Sequence, residues 1–390
     1  MMIPITKPFF GAEELRAVQV PLESGWVVQG TFVKEFEKKF STFTGAPFSI
    51  ATTSCTTALH VAVAALGLKP GDEVIVPAFT WVSTANVIEY MGARPVFCDI
   101  DLRTFNIDVN QIETLITSRT VGILPVHLFG LCADMEPILE IAKKHHVWVV
   151  EDAACAFGTW YRGRHAGTFG EIGCFSFHPR KSITTGEGGM ITTAQPKLDR
   201  LSRILRDHGA SRTDFDRDSM KSAFLLADFN HLGYNYRMTD IQGALGCVQL
   251  ERAEWIMAER SRRARAYNET LRETEWLQLP VVPDGYVHGY QAYVCLFQPR
   301  DPGLKNVDHL NEQRNKLMMK LEEKGIATRQ GTHAPVIQGY YSKKYDLRPQ
   351  QFPNAYLADR LSLTLPLYVQ MTESEQALVV NELTKAFEAL

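Results

Sequence analysis

Between residues 49 and 151 the chain alternates in a way that constrains its fold more than any other feature. Short runs rich in β-branched and apolar residues stand at 49–52, 73–77, 95–99, 121–126 and 147–151. Helical patterns at 58–66, 80–91, 110–117 and 134–145 separate them. Strands alternating with helices make a mostly parallel sheet covered on both faces. The expected fold class is therefore α/β. In such sheets ligands gather beyond the carboxyl ends of the strands.

The flanking segments complete the plan. A helix is expected from about residue 12. An amphipathic helix follows through Phe32, Val33, Phe36 and Phe40, whose spacing is helical. A polar amphipathic helix covers 196–208, and 209–235 reads as irregular. A long helix at about 237–273 is expected to connect a large domain (1–250) to a smaller α+β domain (251–390). In the smaller domain, strands are expected near 291–297 and 326–328, with helices near 308–323, 354–361 and 372–390.

Four residues fall at or just past strand ends: Ser54, Trp81, Asp152 and Lys181. Lys181 follows an apolar run and opens a loop of hydroxyls and glycines ending at Gly189. Lysine is strongly hydrated, so delivery to such a loop by a strand makes it a candidate Schiff-base nucleophile. Asp152 ends the strand at 147–151, and a carboxylate there can keep a pyridine nitrogen protonated. Ser54, Cys55 and Thr56 lie between a strand and a helix, where free backbone N–H groups and the helix dipole favour a phosphate. Trp81 offers a flat partner for a ring. Together these are the protein side of pyridoxal 5′-phosphate (PLP) chemistry.

The ordered motifs resemble the DegT/DnrJ/StrS family of PLP-dependent sugar aminotransferases, of the aspartate aminotransferase fold (fold type I). They are Lys7-Pro8-Phe9, Ser24 to Gly30, Ser54 to Leu59, Gly71 to Trp81, Glu151 to Ala154, Phe175 to Gly189, Gly233 to Asp240 and Leu365 to Tyr368. The resemblance implies that Lys181 is the catalytic Schiff-base lysine and that Asp152 holds the ring nitrogen. Trp81 and Ala154 would pack on the two ring faces. The Ser54, Cys55 and Thr56 groups and the Ser176 hydroxyl would hold the phosphate. Asn235 would reach the phosphate of a neighbouring subunit, which implies a homodimer with shared sites.

Candidates for substrate contact are Trp26, His178, Glu187, Arg329 and His333. On sequence grounds alone Trp26 reads as a packing residue before a ligand contact, while His178 reads equally as a core histidine and Glu187 equally as a brace for the loop. Arg329 suits a diphosphate or a carboxylate through paired hydrogen bonds. Two positions depart from the family's usual pattern. Cys155 stands near the cofactor hydroxyl, where many members carry Gln or His. The residues after Thr328-Arg329 read Gln330-Gly331-Thr332-His333-Ala334-Pro335 in place of a histidine-rich segment. Members that dehydrate carry His where this chain has Lys181, so this chain is expected to aminate.

The expected reaction takes the amino group of L-glutamate to a keto-deoxy sugar, nucleotide-linked, in amino-sugar biosynthesis for a polysaccharide or lipopolysaccharide. A free keto-octulosonate-type acid sugar is the alternative acceptor, and a non-catalytic PLP-binding regulator is a second alternative. The net charge of −3 gives no bulk electrostatic case for nucleic acid or an anionic membrane. The first residues lack a signal-peptide pattern, and no apolar run approaches the roughly 20 residues of a membrane span. The seven cysteines are scattered, which suits reduced thiols and a cytoplasmic location. No CxxC or HExxH spacing supports a metal site.

Overall fold

The computed structural model describes residues 2–211 and 227–390, so most of the stretch 209–235 lies outside the described residues. Two helices open the chain, α1 (Ala12–Ser24) and α2 (Thr31–Thr44). Each ends at a glycine in the left-handed region, Gly25 and Gly45, where a side chain would be strained. Along α2 the buried residues include Val33, Phe36 and Phe40, the face that the spacing foretells.

Seven strands form the main sheet: β1 (Phe48–Thr52), β2 (Glu73–Pro77), β3 (Arg94–Cys98), β4 (Thr120–Ile123), β5 (Trp148–Asp152), β8 (Ile172–Ser176) and β9 (Gly189–Thr193). Their order is β1-β9-β8-β5-β4-β2-β3. Neighbours pair in parallel from β8 to β3. β9 alone runs against them, antiparallel to both β1 and β8. The carboxyl ends of β1, β2, β5 and β8 thus share one edge with the amino end of β9. The sheet is covered by helices that include α3 (Cys55–Ala65), α4 (Ser83–Tyr90), α5 (Val109–Ile112), α6 (Met135–His145) and α7 (Pro196–Arg206). Every residue of β2 is buried, as expected of a strand covered on both faces.

Further along, α8 (Asp240–Glu251) and α9 (Ala253–Leu271) replace the single helix expected over 237–273. Arg252 breaks them apart with φ −92° and ψ −1°, the sparsely allowed bridge region. The smaller sheet is antiparallel, in the order β10 (Leu277–Gln278), β12 (Tyr293–Phe297), β13 (Ser362–Leu365). It packs with α10 (Val307–Glu323), α11 (Gly339–Tyr345), α12 (Pro353–Leu361) and α13 (Glu373–Glu388). No strand forms at 326–328; Ile326 pairs singly with Ile3, and Arg329 with Thr364. The expected helix over 110–117 is the short α5 followed by a 3-10 turn, Glu113–Leu115.

A third small sheet joins β6 (Trp160–Tyr161), β7 (Arg164–His165) and β11 (Tyr286–Val287). One apolar cluster contains Ile50, Val76 and Val150 of the main sheet together with Val294, Leu310 and Leu361. The expected division at 250/251 falls beside the break at Arg252; with a core that crosses it, we keep that division as a proposal.

Candidate active site

The shared edge of the main sheet gathers the predicted residues. After β1, Ser54 caps α3: its Oγ accepts the Thr57 N–H at 3.2 Å. The N–H groups of Cys55 and Thr56 then lack acceptors within the helix. The Cys55 side chain turns away into the core, with Sγ 3.4 Å from the Cys174 carbonyl and 4.0 Å from Asp152 Oδ1. Burial, then the Asp152 charge, pushes its thiol well up. Only the Cys55 backbone faces outward for an anion.

Gly189 makes this close assembly possible. It pairs with Thr52 on β1 and with Ser176 on β8. A methyl group there would stand 2.3 Å from the Ser54 carbonyl oxygen and 2.7 Å from the Cys55 nitrogen. Ser176, at the end of β8, receives the His178 N–H on its Oγ at 3.4 Å.

Asp152 ends β5 and is 4% exposed. Its Oδ2 accepts the Thr84 hydroxyl at 2.8 Å and its Oδ1 the Ala154 N–H at 3.1 Å. Burial raises its pKa, while those two donors and Lys181 oppose the rise. Beneath it, Glu151 accepts the Gly167, Phe169 and Gly170 amides and pairs with the buried His127 at 2.8 Å. His127 Nδ1 accepts the Ala133 N–H, so Nε2 carries the proton toward Glu151.

Lys181 lies on the loop that joins β8 to β9. Its Nζ donates to Cys155 Sγ at 3.1 Å, and Cys155 is half-buried. Burial lowers its pKa, but Cys155, Cys55 and Asp152 raise it, and the net direction is up. Trp81 stands 59% exposed at the end of β2, with the His333 ring 5.9 Å from its own. Thr80 N–H donates to the His333 carbonyl at 3.0 Å, which fixes the 330–335 segment at the same edge.

The remaining candidates make other contacts. His178 Nε2 is 3.9 Å from Glu187, and its Nδ1 accepts the Arg180 N–H. Burial lowers the His178 pKa against the pull of Glu187. The Glu187 carbonyl accepts the Thr185 hydroxyl and the Gln242 amide, which suits a brace. Arg329 is half-buried, and its Nε has no hydrogen-bond partner. Burial and then the charge of Arg180 lower its pKa. Trp26 is held in its own loop, where Nε1 donates to the Gln29 carbonyl at 3.4 Å. Asn235 is exposed, on a segment whose Tyr236 carbonyl accepts the Thr53 N–H at 3.1 Å.

Sequence reasoning missed Thr84 and the His127–Glu151 pair under Asp152. Thr84 is an ordinary hydroxyl at a helix start, and only the sheet order brings it to Asp152, 68 positions along the chain.

The donor set fits PLP: an amine, a buried carboxylate, an exposed indole face and a helix start with free amides share one edge. That combination fits a PLP-dependent enzyme of fold type I. The sequence profile of the DegT/DnrJ/EryC1/StrS aminotransferase family matches residues 8–384. The spore coat polysaccharide biosynthesis protein SpsC of Bacillus subtilis is 37% identical over 373 residues, covering 96% of this chain and 94% of that one. Spr1654 of Streptococcus pneumoniae in its PLP form superposes with a TM-score of 0.91 at 27% identity, covering 100% and 99% of the two chains. Helicobacter pylori PseC, an aminotransferase involved in pseudoaminic acid biosynthesis, superposes at 0.90 with 25% identity and full coverage of both chains. This chain belongs to the DegT/DnrJ/EryC1/StrS family, and it is a PLP-dependent sugar aminotransferase.

Proposed function

We propose that this enzyme moves the amino group of L-glutamate to a keto-deoxy sugar, nucleotide-linked, for a surface polysaccharide. The observation that carries this reading is the convergence of Lys181, Asp152, Trp81 and the Ser54–Thr56 helix start on one sheet edge. When bound, PLP supplies a carbonyl for the lysine and a ring that withdraws electrons from the carbon being deprotonated. The Asp152 carboxylate, oriented by Thr84 and the Ala154 amide, holds the ring N–H. The Ser54, Cys55 and Thr56 groups with Ser176 would hold the phosphate, and Trp81 and Ala154 would pack against the ring. Lys181 Nζ removes the substrate proton and returns it, acting as general base and then general acid. Cys155, 3.1 Å from Nζ, is its nearest hydrogen-bond partner in that exchange.

Exposed Phe10, Leu15, Leu22 and Val28 around α1 favour a homodimer, with Asn235 reaching the partner's phosphate site. Trp26, His178, Glu187 and His333 are proposed to meet substrate. The polysaccharide role named for SpsC supports an amino-sugar product. The unpartnered Arg329 Nε beside a second guanidinium favours the other reading, a free acid sugar of the keto-octulosonate type.

Purified protein incubated with glutamate and each acceptor tests the two readings by product mass. Amination of the acid sugar alone would refute the nucleotide-sugar version. Lys181→Ala should take up PLP without the visible absorbance of the wild type; an unchanged spectrum would remove Lys181 from its role.

A further inference from the structure

The Lys181 loop is held at its far end by the large lobe. The Thr184 N–H donates to Gln249 Oε1 at 3.3 Å, and Gln242 Nε2 donates to the Glu187 carbonyl at 2.7 Å. Its middle is held differently. The carbonyl of Arg180, on the peptide that leads into Lys181, accepts Nε2 of Gln291 at 2.8 Å. Gln291 belongs to the smaller lobe, two residues before β12.

The turn that carries Gln291 is fixed by its backbone. Arg260 on α9 is 2% exposed, and it donates Nε to the Tyr290 carbonyl at 2.9 Å and Nη2 to the Gln291 carbonyl at 2.6 Å. Burial pushes its pKa down to about 10. His288 Nδ1 accepts the Tyr290 N–H at 2.8 Å, and the Gly289 N–H donates to the Gly130 carbonyl at 2.7 Å. A methyl group on Gly130 would meet the Tyr290 nitrogen at 2.7 Å, so the two backbones lie in direct contact. Tyr290 itself has φ +43°, a strained value for a bulky residue. Strain of this kind persists where the surroundings over-determine the backbone. A buried guanidinium spent on two turn carbonyls, with no carboxylate paired to it among the described residues, is such a surrounding.

We propose that Gln291 is a positioning residue for Lys181, through which the turn held by Arg260 sets the height of the lysine amine over the site. This rests on reading Lys181 as the lysine that joins PLP. The Lys181 N–H of the same peptide donates to the His178 carbonyl at 2.8 Å, a bond within the loop itself, so loss of the Gln291 amide frees this part of the loop from the β12 turn and lets it shift as a unit. Nζ then sits at a changed distance from Cys155 and Asp152, the groups that hold its pKa up.

The test uses PLP-loaded Gln291→Leu, which keeps bulk without a donor, and Gln291→Lys, which restores an N–H of similar reach. Gln291→Leu should shift the pH midpoint of the visible absorbance by about half a unit or more. It should also slow the half-reaction with glutamate about 3- to 10-fold, the span of one neutral hydrogen bond. The thermal midpoint should stay close to wild type, and Gln291→Lys should recover most of both readouts. An unchanged absorbance midpoint in Gln291→Leu overturns the proposal, as does a lowered thermal midpoint without a spectral shift. Lys181→Ala is read separately: if it keeps the wild-type spectrum, the underlying assignment of Lys181 fails, whatever Gln291 does.

Discussion

Gly189→Ala probes the phosphate cup by packing alone. The added methyl would lie 2.3 Å from the Ser54 carbonyl oxygen, about 1 Å inside the 3.4 Å at which ordinary contact begins. Both nearest groups are backbone, so no side chain can swing aside. The strand is pinned on both sides by Thr52 and Ser176, so α3 must give way, and with it the Cys55 amide 2.7 Å from the methyl. Overpacking of this size costs about 1–3 kcal/mol. The helix start then no longer presents its amides where β8 presents Ser176, and PLP affinity should fall about 10- to 100-fold. Titration of the apoprotein with PLP, followed by visible absorbance, measures it. Gly303→Ala is the control, since a methyl there meets nothing within 4 Å. Unchanged PLP affinity in Gly189→Ala, in a protein that melts like wild type, would refute the placement of the phosphate at this helix start.

Two further outcomes follow from buried carboxylates. Thr84→Val removes a donor to Asp152, whose pKa burial already raises. The pH above which the apoprotein binds PLP tightly should rise by about one unit, because a hydrogen bond to a charged group contributes about 1.5 kcal/mol or more; an identical pH profile would contradict this. Glu37 is buried against Arg206 and Arg203, at 2.7 Å from each. Burial pushes its pKa up, but the two guanidinium groups prevail and the net shift is down from 4.5. A depressed carboxylate stabilises the fold above its unfolded pKa, and that contribution disappears as pH falls through the folded value. Glu37→Gln should therefore cost about 3–5 kcal/mol at neutral pH, with the gap to wild type closing below about pH 4.5. Thermal melts across pH measure the gap; one that stays constant would exclude an ionised Glu37 as its source.

The candidate site was largely legible because its parts are local. Asp152 ends a strand, Ser54 caps the helix after one, and Trp81 and Lys181 lie on the loops that leave β2 and β8, while strand and helix periods are written in consecutive residues. The carboxyl-edge rule for parallel sheets then places them together without knowledge of strand order. Their supports were not legible. Thr84 reaches Asp152, and Gln291 reaches Arg180, across 68 and 111 positions. Arg252 ends a helix inside a sequence whose apolar spacing continues through it. β13 follows directly on α12, where the pattern 354–361 had announced only the helix.

The sequence by itself determined the α/β class and placed Ser54, Asp152 and Lys181 at or beyond the carboxyl ends of strands, because short-range periodicity and residue chemistry suffice for these. Only the tertiary structure decided that β9 turns back against its neighbours and brings Gly189 between Thr52 and Ser176. It alone decided that Cys155 meets Lys181 Nζ, and that Gln291, two residues before β12, bonds the carbonyl of the peptide leading into Lys181. Pairings of this kind depend on which distant backbones come within hydrogen-bond reach, and no local pattern encodes that distance.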